Sequence, residues 1–196
     1  MISREGASVL GYPALGVLVL GESAGLPLPG ETAVLTAGGL AAAGHLALPL
    51  VVLVAAGAAI AGDTVGYWLG RRGGRAFLLR DGFLATHRRY AVIRADRFFE
   101  RYGIAAVFFG RWVPGVRVVA ALMAGAARMP WRRFAVANAL GAFAWAGTVA
   151  SLAAALGPTG SLILAATGLA LGAVGLAAAW WRHRHARRRV VGAATR

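Results

Sequence analysis

Apolar residues fall along this chain in long uninterrupted blocks, not at the alternating or helical periods of a soluble domain. The longest block, Phe134 to Trp181, holds 48 residues without one Asp, Glu, Lys or Arg. A membrane span needs about 20 apolar residues, so the block predicts two spans, 134–156 and 160–181, broken at "GPTG". A third span is predicted over 46–70, where Asp63 is the single charge. Residues 7–25 form an apolar helix ending in the Pro-Gly punctuation of "GLPLPG", and a second apolar helix follows over 31–44. Residues 71–101 are polar, with "HRRYAVIRADRFFERYG" predicted as a helix lying on the membrane surface. The apolar stretch 104–127 is interrupted by Arg111, Pro114 and Arg117.

Composition agrees with an integral membrane protein: 59% of the 196 residues are hydrophobic and the mean hydropathy is +0.66. The net charge of +14 invites a nucleic-acid reading, but the arginines are placed otherwise. Nine lie in 71–101, three in 128–133 and six in 182–196, the segments that flank the apolar blocks. Basic cytoplasmic loops explain that distribution, and no segment is long enough for a separate nucleic-acid domain. The absence of Cys excludes disulfides, thiolate metal sites and cysteine nucleophiles. No metal site or cofactor is expected, and "MISREGASVL" does not read as a cleavable signal peptide.

Parity of the crossings decides the topology. If 104–127 crossed the bilayer, nine flanking arginines would face nine on the other side, against the positive-inside rule. If it turns back at "VPGV" (113–116), all 18 share one side, the cytoplasm, together with the C-terminal tail. Span 46–70 must then run inward, and 7–44 begins and ends outside if it too is a hairpin. The expected fold is therefore an all-α membrane protein. It has two oppositely oriented re-entrant hairpins (7–44 and 104–127), three spans, a basic segment at 71–101 and a tail at 182–196. That is an inverted repeat, an arrangement many secondary transporters use. "PGETAVLTAGGLA" (29–41) resembles "PGVRVVAALMAGAA" (114–127), which agrees with a duplication.

Five charges lie within the apolar parts: Glu22, Glu31, Asp63, Arg111 and Arg117. A charge at mid-bilayer costs roughly 3 kcal/mol on insertion scales, so such residues mark a site or a water-filled cavity. They coincide with two helix breaks, one at Pro27, Pro29 and Gly30 and one at Pro114 and Gly115, and broken backbone at depth is tolerated where it lines a cavity. Arginine's planar fork suits phosphate oxygens, and half-dehydrated carboxylates suit proton exchange. Asn138 either lines the cavity or hydrogen-bonds between spans. The plainer alternative is that the five form structural ion pairs holding the hairpins together.

Three motifs carry a family resemblance. "E-x4-P-x-P-G-E" (Glu22 to Glu31), "GDxxGYxxGRxxG" (Gly62 to Gly74) and "FFGRWVPGVR" (Phe108 to Arg117) resemble the DedA family, also called SNARE-associated or VTT-domain membrane proteins. The resemblance covers roughly 8–156. It implies opposed re-entrant hairpins, transbilayer movement of polyprenyl (undecaprenyl) phosphate or phospholipid, and, for some members, dependence on a proton gradient. The family's acidic residues fall on Glu22, Glu31 and Asp63 and its arginine pair on Arg111 and Arg117. Where many members carry Thr or Ser after the second arginine, this chain has Val118.

The expectation is thus a multi-pass cell-membrane protein that is not an enzyme, with lipid and protons as partners and a homo-oligomer compatible with the sequence. Arg111 and Arg117 would hold the lipid phosphate, and Glu22, Glu31 and Asp63 would exchange protons. The rival readings are a proton-coupled cation antiporter using the same acids, and a non-transporting assembly factor.

Overall fold

A computed structural model describes residues 4–74, 85–113 and 116–193. Among them every regular element is a helix: α1 (Arg4–Ser23), α2 (Gly30–Ala42), α3 (Leu48–Leu69), a π-helical turn (Gly70–Gly74), α4 (Ala85–Gly110, kinked at Gly103 with φ 41°), α5 (Val116–Ala126) and α6 (Trp131–Ala193). Among the described residues two helices are long and apolar enough to cross a membrane, over Leu48–Gly73 and within Trp131–Val174. The predicted interruption at "GPTG" is present as a kink that divides α6 into two helices. Gly157 takes φ 70°, a value that disfavours any side chain, and Pro158 restarts the helix where a missing N–H costs nothing.

The chain folds back on itself twice. α1 and α2 run antiparallel: the Ala47 N–H donates to the Tyr12 hydroxyl at 2.8 Å at one end, and Gly30 lies against the backbone of Leu18 and Val19 at the other. The connection between them, 24–29, turns through Gly25 at φ 102°. α4 and α5 fold back similarly, meeting where Gly110 approaches Val116 and Ala120. The returning arm of each pair ends in the same way. The His45 N–H reaches Leu40 O and the Gly44 N–H reaches Ala41 O; the Met129 N–H reaches Ala124 O and the Arg128 N–H reaches Gly125 O. Both are Schellman turns with the left-handed residue at Gly44 (φ 75°) and Arg128 (φ 55°). Each turn leads into a long apolar helix, α3 or α6.

Glycines set how closely these elements pack. A Cβ at Gly125 would collide with the Tyr67 carbonyl, one at Gly70 with the Leu122 carbonyl, and one at Gly38 with Ala150 and Ala153. α5 therefore lies backbone to backbone on the C-terminal end of α3, and α2 does so on α6. Such contact through small residues is how helices associate where the surrounding solvent is itself apolar.

Buried apolar side chains form two clusters. One gathers Leu15, Val19, Val34, Val51, Ala55, Ala59, Trp145 and Ala146 from α1, α2, α3 and α6. The other gathers Tyr67, Phe99, Val107, Ala121, Met129, Phe134 and Ala137. Along α3, Asp63 stands between Ala59 of the first and Tyr67 of the second; along α6, Asn138 stands between Ala137 and Ala142. A polar layer therefore separates two apolar ones.

Candidate functional site

That polar layer is where both fold-back tips converge. α1 ends at Ser23, so Glu22 occupies its last turn and faces the beginning of α5. Glu22 Oε2 lies 2.6 Å from Arg117 Nη2. The same carboxylate lies against Gly30, where a β-carbon would strike it, so glycine at the start of α2 makes room for the acid. Arg117 is buried, and its guanidinium stacks over the Trp145 ring at 5.2 Å. Glu31, in the first turn of α2, is half-buried and within electrostatic reach of Glu22 and Arg117.

The second pair is deeper. Arg111 and Asp63 are 3% and 4% exposed. Arg111 Nη1 donates to Asp63 Oδ2 at 2.7 Å and to Asn138 Oδ1 at 3.0 Å, and Asn138 Nδ2 donates to Ile60 O at 3.3 Å. Gly141 lies beside the Arg111 side chain, one turn beyond Asn138 on α6. Asp63 sits within a turn of the centre of the apolar stretch Leu48–Gly73.

This cluster is incompletely satisfied. Arg111 Nε and Nη2, Asp63 Oδ1 and the Ser23 hydroxyl are buried without a hydrogen-bond partner. An unmet donor in an apolar interior costs about 1–3 kcal/mol, and more when it belongs to a charged group. The Arg111 guanidinium thus keeps donor capacity that Asp63 and Asn138 do not use.

All five charges expected from the sequence are brought to one layer, by four different helices and the turn after α4. The arginines do not converge free on one point: each already holds its own carboxylate. Asn138 proves to be a hydrogen-bond bridge between α6 and the turn after α4. Pro27 and Pro29 lie in the connection 24–29 and Gly30 begins α2; Pro114 and Gly115 lie outside the described residues.

Three contributors were not singled out from the sequence. Trp145 supplies the aromatic face for Arg117. Ser23 is fully buried, and its Cβ occupies the space that a side chain at Gly62 would need. Tyr67 donates to Met129 O at 2.6 Å, accepts from Arg71 at 2.8 Å and stacks on Phe134, fastening α3 to the start of α6. The signal for Tyr67 was present in "GYWLGRRG", which puts an arginine one helical turn after the tyrosine.

A sequence profile of the VTT domain matches residues 28–155, which contain every residue of this layer except Glu22 and Ser23. An uncharacterized membrane protein of Synechocystis is 42% identical over 154 residues, covering 79% of this chain and 71% of its own. An uncharacterized membrane protein of Mycobacterium tuberculosis is 37% identical over 150 residues, covering 72% of this chain and 66% of its own. The chain thus spans about two thirds of the length of that relative. Undecaprenyl phosphate transporter A of Bacillus subtilis is 37% identical over 79 residues, 40% of each chain. It carries the name of a transporter and not of an enzyme. No solved structure matches.

Proposed function

This chain belongs to the VTT-domain, or DedA, family of membrane proteins, and from that premise we propose that it carries a lipid phosphate across the cell membrane by a proton-coupled cycle. One observation carries the proposal: two buried arginines, one with unmet donors, sit at mid-span where both fold-back tips meet. The relative named for undecaprenyl phosphate supports a polyprenyl phosphate as the substrate.

The two antiparallel pairs are re-entrant hairpins entering from opposite faces. Helix length supports this. At about 1.5 Å per residue, the 13 residues of α2 rise about 20 Å and the 11 of α5 about 16 Å, short of a hydrocarbon core of about 30 Å. The matching Schellman turns, each leading into a span, support an inverted repeat, and the basic segments support a cytoplasmic C-terminus.

In the cycle, the phosphate enters the layer and takes donors from Arg111 and Arg117. Asp63 and Glu22, losing their cations, take up protons; Glu31 relays protons beside them. Release of phosphate lets the carboxylates ionise and re-pair with the arginines. The ion pairs are thus the empty state of the carrier. Proton uptake is what keeps an unpaired carboxylate from standing charged in a dry interior.

Purified protein in liposomes tests the coupling. An inward proton gradient should accelerate movement of polyprenyl phosphate, and Glu31→Gln should remove the acceleration while a slower, gradient-independent movement persists. Equal movement with and without the gradient would reduce the protein to a scramblase. Loss through the acids alone, with Arg111 and Arg117 dispensable, would favour a cation antiporter. The pairing of both arginines favours one rival, a purely structural role. In that case Glu22→Arg/Arg117→Glu, which preserves the pair with its charges exchanged, should restore full function.

A further inference from the structure

Between α4 and α5 an open groove of about 540 Å³ runs away from the polar layer. It is lined from α4 by Phe98 and Tyr102 before the kink at Gly103 and Phe109 after it, and from α5 by Val119, Ala120 and Met123, with Gly110 and Val116 at the end where the chain turns. Apart from the Tyr102 phenol the groove carries no polar side chain, so it suits hydrocarbon. Several lining residues are strongly exposed, Phe109 at 66% and Val119 at 56%.

Its position decides what lies in it. Gly110 and Val116, at the inner end, are the residues immediately before Arg111 and Arg117. The guanidinium heads reach away from the trough, to Asp63 and Asn138 and to Glu22 and Trp145, but both side chains leave the backbone beside its end. A lipid whose phosphate they hold would therefore bring the first stretch of its chain past this tip, where the apolar path begins. From Val116 to Met123 the helix rises about 10 Å, which sets the length of chain that can be held. One trough takes one chain, as a polyprenyl phosphate presents.

We infer that the α4–α5 groove is the tail subsite of the carrier: it seats the phosphate-proximal isoprenoid chain of the lipid whose phosphate Arg111 and Arg117 hold. The inference rests on the lipid-phosphate reading above and adds to it the element that selects the chain. The groove's alanines and glycine leave room for methyl branches between the aromatic side chains. Ala120 is the critical lining position, because it faces Gly110 near the end where the chain turns, and a larger side chain there would take up the trough.

The test uses the full chain in liposomes with a polyprenyl phosphate bearing a diazirine on the isoprene unit nearest the phosphate. Photolabelling, mapped by peptide mass spectrometry, should fall on 98–110 and 116–123. Ala120→Leu and, independently, Val119→Trp should each cut labelling about tenfold, the loss of roughly two buried methylenes. A dipalmitoyl phosphatidic acid labelled at the same depth should label these segments several-fold less. Labelling in the groove without transport would uphold the subsite and overturn the carrier reading. Transport with labelling elsewhere, unchanged in both variants, would overturn the subsite and leave the carrier. Equal labelling by phosphatidic acid would show general lipid contact and overturn chain selection, and protection of the groove by a second copy of the chain would overturn the tail assignment.

Discussion

Neutralising Asp63 gives the most informative perturbation of this fold. Asp63→Asn keeps the shape and an oxygen facing Arg111 Nη1, but leaves a guanidinium that is 3% exposed without a counter-charge. Breaking one partner of a buried pair costs about 3–5 kcal/mol; the retained Asn138 contact argues for the lower end, about 3 kcal/mol. For a chain of this size each kcal/mol moves the midpoint about 2–4 °C, so the apparent melting temperature in detergent should fall by about 6–12 °C. Removing both charges tests the cause. Asp63→Leu/Arg111→Met replaces the pair with apolar side chains of similar length, an exchange often neutral or stabilising, and should melt within about 3 °C of wild type. Melting followed by size-exclusion fluorescence reads all three proteins. If Asp63→Asn melts within about 2 °C of wild type, or the double variant is no better than the single, the pair does not carry the energy assigned to it.

Other consequences can be measured separately. Glu22→Gln should be milder than Asp63→Asn, about 1–2 kcal/mol, because the Glu22 side chain is 22% exposed and Trp145 still holds Arg117; chemical denaturation of the two variants side by side checks the order. Gly125→Ala should destabilise by roughly 1–3 kcal/mol, since its methyl meets the Tyr67 carbonyl and α5 must lift from α3, with a lowered melting temperature as readout. Tyr67→Phe should cost about 1–2 kcal/mol, because Met129 O loses its 2.6 Å donor and keeps only Arg71 at 3.2 Å. Polyprenyl phosphate at about a hundred times its dissociation constant should add roughly 2.7 kcal/mol to wild-type stability, and the gain should vanish in Arg111→Met/Arg117→Met.

Much of this layout was legible in the sequence because charges are scarce in it. Five ionisable residues among apolar blocks, next to two Pro-Gly breaks, point to one layer whatever the details of packing. The pairing was not legible. Asp63 and Arg111 are 48 positions apart, and nothing in either segment says that Asp63 takes Arg111 while Glu22 takes Arg117. That depends on where α3 crosses α5, which is set by Gly70 and Gly125 meeting carbonyls on the opposite helix. "GPTG" was legible as a break, and α6 divides there at Gly157, with φ 70°; that the break is a kink with no loop between the two helices was not legible, because glycine and proline are the same signal in a loop and in a kink. Trp145 was hidden for a related reason. Tryptophans in membrane chains serve most often as interfacial anchors, and its role beneath Arg117 follows from the depth of the second tip.

The measurement closest to the central claim is the initial rate at which polyprenyl phosphate crosses proteoliposomes bearing wild type or Arg117→Gln, at equal amounts of monodisperse protein. With the phosphate held by that arginine, the rate should fall by at least about tenfold, the loss of one charge-assisted donor pair. A variant that moves the lipid as fast as wild type would contradict the account, whatever its stability.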